Sequence, residues 1–262
     1  MNVSDERILI FGDSLSHLGP NNAPSIVDIT VPLGIVSGAP GELIARQLLG
    51  MSAQAVRVNA KVGRSARSFF STEDSVSLLA SDKAFGPTKV VVFLGTNDID
   101  LGINAAALVK TRDAMTRIRD AYRAFGAEVF AIGPPSFPNP RFNNASPVMF
   151  DLVQSVFGPD HTVDAQPLTV GVARAGDGVH FTAAGAAAVA PQLVRALLAM
   201  GTPTTTVVEQ PGMSDGAKFT LGFVAVVGLA GLSWLALGIA KRAAQRSTLA
   251  HYRRQDRRQE VH

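Results

Sequence analysis

Residues 7–16 read Arg7-Ile8-Leu9-Ile10-Phe11-Gly12-Asp13-Ser14-Leu15-Ser16. The apolar run Arg7–Phe11 lacks the alternation of a half-exposed strand, which predicts a strand buried on both faces, as in parallel sheets. It breaks at a glycine followed by two polar side chains. Three other runs have the same character: Ala55–Asn59, Lys89–Leu94 and Glu128–Ile132, with a fifth strand candidate at Thr162–Ala165. Helical patterns lie between them. Pro40–Leu49 has proline in its first turn and Gly50 as its stop. Ala105–Phe125 puts Leu108, Met115, Ile118, Tyr122 and Phe125 on one face and ends at Gly126. Thr182–Met200 is rich in Ala and Leu and ends at Gly201. Strands alternating with helices predict a parallel sheet with helices on both faces. The stretches Leu15–Ala39 and Pro134–Ser146, rich in Gly, Pro, Asn and Ser, are predicted to be loops. Loops at the carboxyl ends of such strands are where a site is expected.

Composition narrows the chemistry. The 262 residues include no cysteine, which excludes a disulfide framework, a Cys-ligated zinc and a thiol nucleophile. An apolar fraction of 47% is too high for a disordered chain. The net charge of +3 is unevenly placed. Residues 241–262 hold seven basic and two acidic side chains out of totals of 24 and 21, so 1–240 keeps 17 basic and 19 acidic. The basic character belongs to a tail, and a nucleic-acid partner for the main domain loses its chief support.

Phe219–Ala240, before that tail, is 22 residues without a charge, about 33 Å as a helix and enough to cross a bilayer core. Its flanks are Lys218 on one side and Lys241 with Arg242 on the other. The division expected is one large α/β domain over 1–200, a linker over 201–217, a transmembrane helix over 218–241 and a basic tail over 242–262. Seven basic residues after the span put the tail on the cytoplasmic side and the large domain outside. No apolar signal region precedes the first strand, which conflicts with that placement. The alternatives are export without a cleaved signal, a domain that stays inside while the basic tail crosses, or delivery by other machinery, as in a virion or other assembly.

The polar residues at the strand ends carry the chemistry. Ser14 sits straight after a buried strand, where it is either a nucleophile in need of a base or a turn serine. Asn97, in Gly95-Thr96-Asn97-Asp98, either donates its amide to an oxyanion or shapes a turn. Gly63 follows the second strand and lets a backbone N–H approach a ligand. Asp177-Gly178-Val179-His180 puts an acid three residues before an imidazole, so the acid can fold back and fix one tautomer.

Together and in this order, Gly12-Asp13-Ser14, Gly63, Gly95-Thr96-Asn97-Asp98 and Asp177-x-x-His180 resemble the SGNH/GDSL hydrolase superfamily over about residues 6–200. The glycine block is the loosest, since Val62-Gly63-Arg64-Ser65 lacks the usual second glycine. The resemblance implies an α/β, flavodoxin-like three-layer sandwich around a central parallel sheet, to which the sequence adds one C-terminal transmembrane helix. It implies a serine esterase with catalytic residues Ser14, Asp177 and His180. The oxyanion hole would be the N–H groups of Ser14 and Gly63 with the Asn97 side chain. Asp13 and Asp98 would support the turns, and neither metal nor organic cofactor is required.

The substrate expected is a small acyl ester, O-acetyl on a surface polysaccharide, near a membrane that the span would reach. A lipid esterase or thioesterase is the alternative within this chemistry, and a non-catalytic module on the same fold is the alternative outside it. An oligomer is compatible with the sequence. Among the other polar residues, His17 reads as an exposed loop histidine, Arg64 and Arg67 as surface charge, and His161 as a loop residue with a smaller claim on the site. Phe137 is a candidate wall for an acyl group or a sugar.

Overall fold

The computed structural model describes residues 1–17, 25–29 and 39–200. The elements in chain order are β1 (Arg7–Gly12), β2 (Ser25–Ile29), α1 (Pro40–Gly50), β3 (Ala55–Ala60), α2 (Ala66–Thr72), α3 (Ser75–Phe85), β4 (Lys89–Phe93) and α4 (Thr96–Asp100). There follow α5 (Ala105–Arg123), β5 (Glu128–Ile132), α6 (Pro140–Phe157), a 3₁₀ turn (Pro159–His161), β6 (Thr162–Val163), α7 (Gln166–Thr169) and α8 (Ala183–Ala199). The strands form one sheet in the order β2-β3-β1-β4-β5-β6. All neighbours run parallel except β2, which is antiparallel to β3.

Successive side chains of a buried strand point to opposite faces, and each face here meets a helical layer. Ile8 and Ile10 of β1 pack with Ile44 and Leu48 of α1 and with Val189, Leu193 and Leu197 of α8. Leu9 and Phe11 pack on the other face with Met115, Ile118 and Tyr122 of α5 and with Met149, Leu152 and Val153 of α6. The result is the expected three-layer α/β sandwich.

Strand register decides where the polar residues go. Gly12 is level with Ala60 and Phe93, Phe93 with Ile132, and Ile132 with Val163. The segments that follow these residues, starting at Asp13, Lys61, Leu94 and Gly133, therefore leave the sheet on one rim.

Two loop expectations are corrected. Leu15–Ala39 contains β2, whose Asp28 forms an ion pair at 2.6 Å with Arg57, its register partner on the neighbouring strand β3, and so helps hold the edge strand in place. Pro134–Ser146 is a loop only as far as Asn139. The Asn139 side chain accepts from the Arg141 N–H, Pro140 occupies the first turn, and the chain continues as α6. Among the described residues no helix is long and apolar enough to cross a membrane. The linker, the span Phe219–Ala240 and the basic tail lie outside the described residues.

Candidate active site

The turn after β1 is tightly built. Asp13 Oδ1 accepts the Leu15 N–H at 2.9 Å, and its main-chain oxygen accepts the Ser16 N–H at 3.0 Å. Gly12 and Gly41 make room for Ser16. A Cβ at Gly12 would lie 2.4 Å from Ser16 Oγ, and one at Gly41 would lie 2.6 Å from Ser16 Cα. Ser16 is thereby buried, its Oγ without a hydrogen-bond partner, whereas Ser14 is half-buried on the rim. Of the two serines in this turn, Ser14 is the one that a substrate can reach.

Asn97, in the first turn of α4, donates from Nδ2 to the Arg64 main-chain oxygen at 3.0 Å and to Asp13 Oδ2 at 3.3 Å. This brings the Ser14 turn, the Gly63 loop and the Asn97 turn together. Gly63 is exposed with φ of 74°, and the Arg64 N–H closes its turn onto the Lys61 oxygen at 3.2 Å. Asp98 is buried and accepts the Ala66 N–H at 2.8 Å and the Arg67 N–H at 3.3 Å, which ties α4 to the start of α2. Burial raises the Asp98 carboxyl above its usual range, against these hydrogen bonds.

Arg64 corrects the surface-charge reading. Its guanidinium is fully buried, pairs with Glu73 at 2.7 Å, donates to the main-chain oxygens of Gly12 and Asn59, and lies 4.5 Å from the Phe11 ring centre. It joins the ends of β1 and β3 beneath the Gly63 loop. Arg67 also turns inward, pairing with Asp98 at 3.3 Å and donating to the Asp98 and Gly102 oxygens.

Asp177 and His180 meet as their spacing predicts. His180 Nδ1 lies 2.5 Å from Asp177 Oδ2, while Asp177 Oδ1 accepts the N–H groups of Val179 at 2.8 Å and His180 at 2.9 Å. Burial opposes ionisation of Asp177, but the three hydrogen bonds outweigh it and hold the carboxyl at about 2. The carboxylate therefore stays charged wherever an esterase works, keeping a proton on Nδ1 and Nε2 as the basic nitrogen.

The loop that carries Asp177 and His180 is tied to the segment leaving β5, since Arg174 donates to the Ser136 main-chain oxygen. No described residue is hydrogen-bonded to the Ser14 hydroxyl or to His180 Nε2, and the two are not bonded to each other.

Burial dominates at Asp13, raising it from 3.8 to about 7. An acid whose folded-state value is raised contributes stability that is complete below about pH 4 and lost as pH rises through about 7. The melting temperature should accordingly fall between pH 5 and pH 8, and Asp13→Asn should flatten that slope. Calorimetry at the two pH values checks this; an equal slope in the variant would contradict it.

Other expectations resolve by position. His17 is buried at 5% exposure rather than exposed. His161 bonds Glu128 at 3.2 Å and stacks on Phe130. Glu128 opens β5, so His161 lies at the opposite end of that strand from the polar rim. Phe137 is buried, with its ring 5.3 Å from that of Phe142, and it lines a cleft of ≈ 610 Å³ with Ser136, Asn143, Val170, Arg174 and Gly178. Sequence reasoning missed Arg174, whose guanidinium sits 3.5 Å from the Phe181 ring centre. Burial lowers its value to about 10, with Asp177 as the opposing charge. Among the described residues no group of three His, Asp or Glu side chains is placed to hold a metal ion.

A mostly parallel sheet between two helical layers, with polar side chains gathered at the carboxyl rim, is an α/β sandwich whose candidate site lies where such sheets carry one. The chain belongs to the GDSL-like lipase/acylhydrolase family, whose model matches residues 8–193, and it is a serine hydrolase acting on ester bonds. Among solved structures it is similar to Axe2, an acetylxylan esterase from Geobacillus stearothermophilus, at 18% identity and a TM-score of 0.54 over 77% of this chain and 97% of that one. It is also similar to LAE5, an alpha/beta hydrolase enzyme from the metagenome of Lake Arreo, Spain. There the identity is 15% and the TM-score 0.56, over 77% of this chain and 99% of that one. These likenesses concern the fold. No curated protein sequence matches the chain.

Proposed function

We propose that the chain is an esterase that removes small acyl groups, O-acetyl above all, from a carbohydrate or envelope polymer. The observation that carries the assignment of the site is the Asp177–His180 pair at 2.5 Å, on a loop held to the rim that also presents Ser14. Ser14 Oγ attacks the ester carbonyl carbon as its proton passes to His180 Nε2, a contact that closes when substrate is bound. The carbonyl oxygen gains the negative charge and is held by the N–H groups of Ser14 and Gly63 and by Asn97 Nδ2. Asn97 Nδ2 donates to the Arg64 oxygen at 3.0 Å and to Asp13 Oδ2 at 3.3 Å, and the longer of these bonds is the one exchanged for the oxyanion.

As the intermediate collapses, the bond from the acyl carbon to the sugar oxygen breaks and His180 protonates that oxygen. Water then attacks the acyl-serine, giving its proton to His180, and acetate leaves as the proton returns to Ser14. Asp177 holds the imidazolium throughout.

The acetyl preference draws support from the fold's similarity to an acetylxylan esterase. Attachment to a membrane through Phe219–Ala240, with the hydrolase domain outside and the tail of 242–262 in the cytoplasm, draws support from the uncharged run and its basic flank. It would hold the site beside an envelope polymer.

Substrate choice is measured on the full chain in detergent, with 4-nitrophenyl acetate, 4-nitrophenyl octanoate and acetylated xylan. The expected result is a kcat/KM about tenfold or more higher on the acetate than on the octanoate, with acetate released from the polymer. A preference for octanoate would mark a lipid esterase instead. Hydrolysis of none of the three would overturn the esterase reading.

A further inference from the structure

We infer that Arg174 is a positioning residue for the Asp177–His180 pair, clamping the chain on both sides of the imidazole to the rim of the sheet; this rests on the catalytic reading above. Arg174 Nη1 donates to the Val179 oxygen and Nη2 to the Ser136 oxygen, each at 2.5 Å. Its guanidinium lies over Phe181 at 3.5 Å and beside Phe137 at 5.1 Å. The residue before His180 and the residue after it are thus both held by one side chain. Through Ser136, that side chain is fixed to the segment leaving β5.

The main chain completes the clamp. Arg174 and Phe181 form an antiparallel bridge, the Ala175 N–H donates to the His180 oxygen at 2.7 Å, and the Thr182 N–H donates to the Ala173 oxygen at 3.2 Å. These bonds shape the loop 173–182 but do not tie it to the sheet. The side chains of His180 and Asp177 are 42% and 49% exposed, so packing alone does not hold them. Among the described residues the bonds of the Asp177 carboxylate all fall within its own loop, to Val179 and His180. Arg174 is the cation that carries this loop to the strand end.

Charge-assisted hydrogen bonds to two carbonyls in different segments need the forked geometry of arginine, which a lysine ammonium cannot reproduce. Loss of the clamp leaves the pair intact but lets it drift from Ser14. A displacement near 1 Å costs about 10²-fold in rate.

The test compares wild type, Arg174→Ala, Arg174→Lys and His180→Ala in the full chain, with 4-nitrophenyl acetate as substrate. Arg174→Ala is expected to lower kcat about 10²-fold while KM stays within about threefold. It should also broaden the downfield proton resonance of His180 Nδ1–H. The side chain removed lines the ≈ 610 Å³ cleft, so added guanidinium ion can enter the vacated space and restore part of kcat. Arg174→Lys should retain one of the two bonds and fall between the two.

Unchanged kcat and an unbroadened resonance in Arg174→Ala would overturn the inference. If that variant does not fold, wild-type kcat and resonance in Arg174→Lys would overturn it equally. Retained activity in His180→Ala would instead defeat the catalytic reading, so the two failures are told apart.

Discussion

Ser14→Ala is expected to lower kcat for ester hydrolysis by roughly 10⁴–10⁶-fold while leaving the melting temperature near that of the wild type. The rate loss follows from the covalent step, since the alanine offers no oxygen to attack the carbonyl and water must take its place. The small thermal effect follows from the local structure. No described residue hydrogen-bonds to the Ser14 hydroxyl, and the turn is held by Asp13 Oδ1 on Leu15 N–H and by the packing of Gly12 and Gly41 around Ser16. Ser16→Ala acts as the control, because its Oγ is buried and makes no hydrogen bond. Initial rates with 4-nitrophenyl acetate and a thermal melt check both statements. Activity near wild type in Ser14→Ala would remove the nucleophile from the account.

The second large effect is expected for Asp177→Asn, a fall in kcat of up to about 10⁴-fold with little change in KM. The amide can sit in two orientations, and each fails for its own reason. With its nitrogen facing His180 Nδ1, it donates where the carboxylate accepted, so the imidazole moves its proton to Nε2 and can no longer take one from Ser14. With its oxygen facing Nδ1, the nitrogen faces the Val179 and His180 N–H groups, which now donate to a donor. The wild-type carboxylate avoids both, and its value of about 2 keeps it charged. Its own stability contribution is complete above about pH 4 and is lost only as pH falls through about 2. A loss of wild-type rate between pH 4 and 7 therefore does not come from protonation of Asp177. A rate in Asp177→Asn within tenfold of the wild type would contradict the assigned role.

Legibility in the sequence follows interaction range. The buried strands β1, β3, β4 and β5 announce themselves as short apolar runs, because a strand covered on both faces needs no partner to explain its composition. β2 does not, since Ser25–Ile29 is an edge strand stabilised by pairing with β3 and by Asp28 reaching Arg57, 29 residues away in sequence. The start of α6 was hidden by composition: Pro140, Asn143 and Asn144 resemble a loop until Asn139 is seen to cap it. Asp177 and His180 were readable because their contact is three residues long. Arg64 and Arg174 were not, because a buried guanidinium looks like a surface one until its partners are known. For Arg64 these include Glu73 and the oxygen of Gly12, 52 residues away; for Arg174, the oxygen of Ser136, 38 residues away. The same range explains Asn97, whose residue type suggested an amide donor but not its bonds to Arg64 and Asp13.

The central claim is that one serine, Ser14, becomes covalently acylated with His180 as its base. Reaction of the full chain with a fluorophosphonate, followed by peptide mapping in a mass spectrometer, tests it directly. The prediction is a single adduct on the peptide containing Ser14, fragmenting to Ser14 itself, formed far more slowly in His180→Ala. An adduct on Ser16 or on a serine away from the rim, or an enzyme fully active with Ser14 unlabelled, would contradict it.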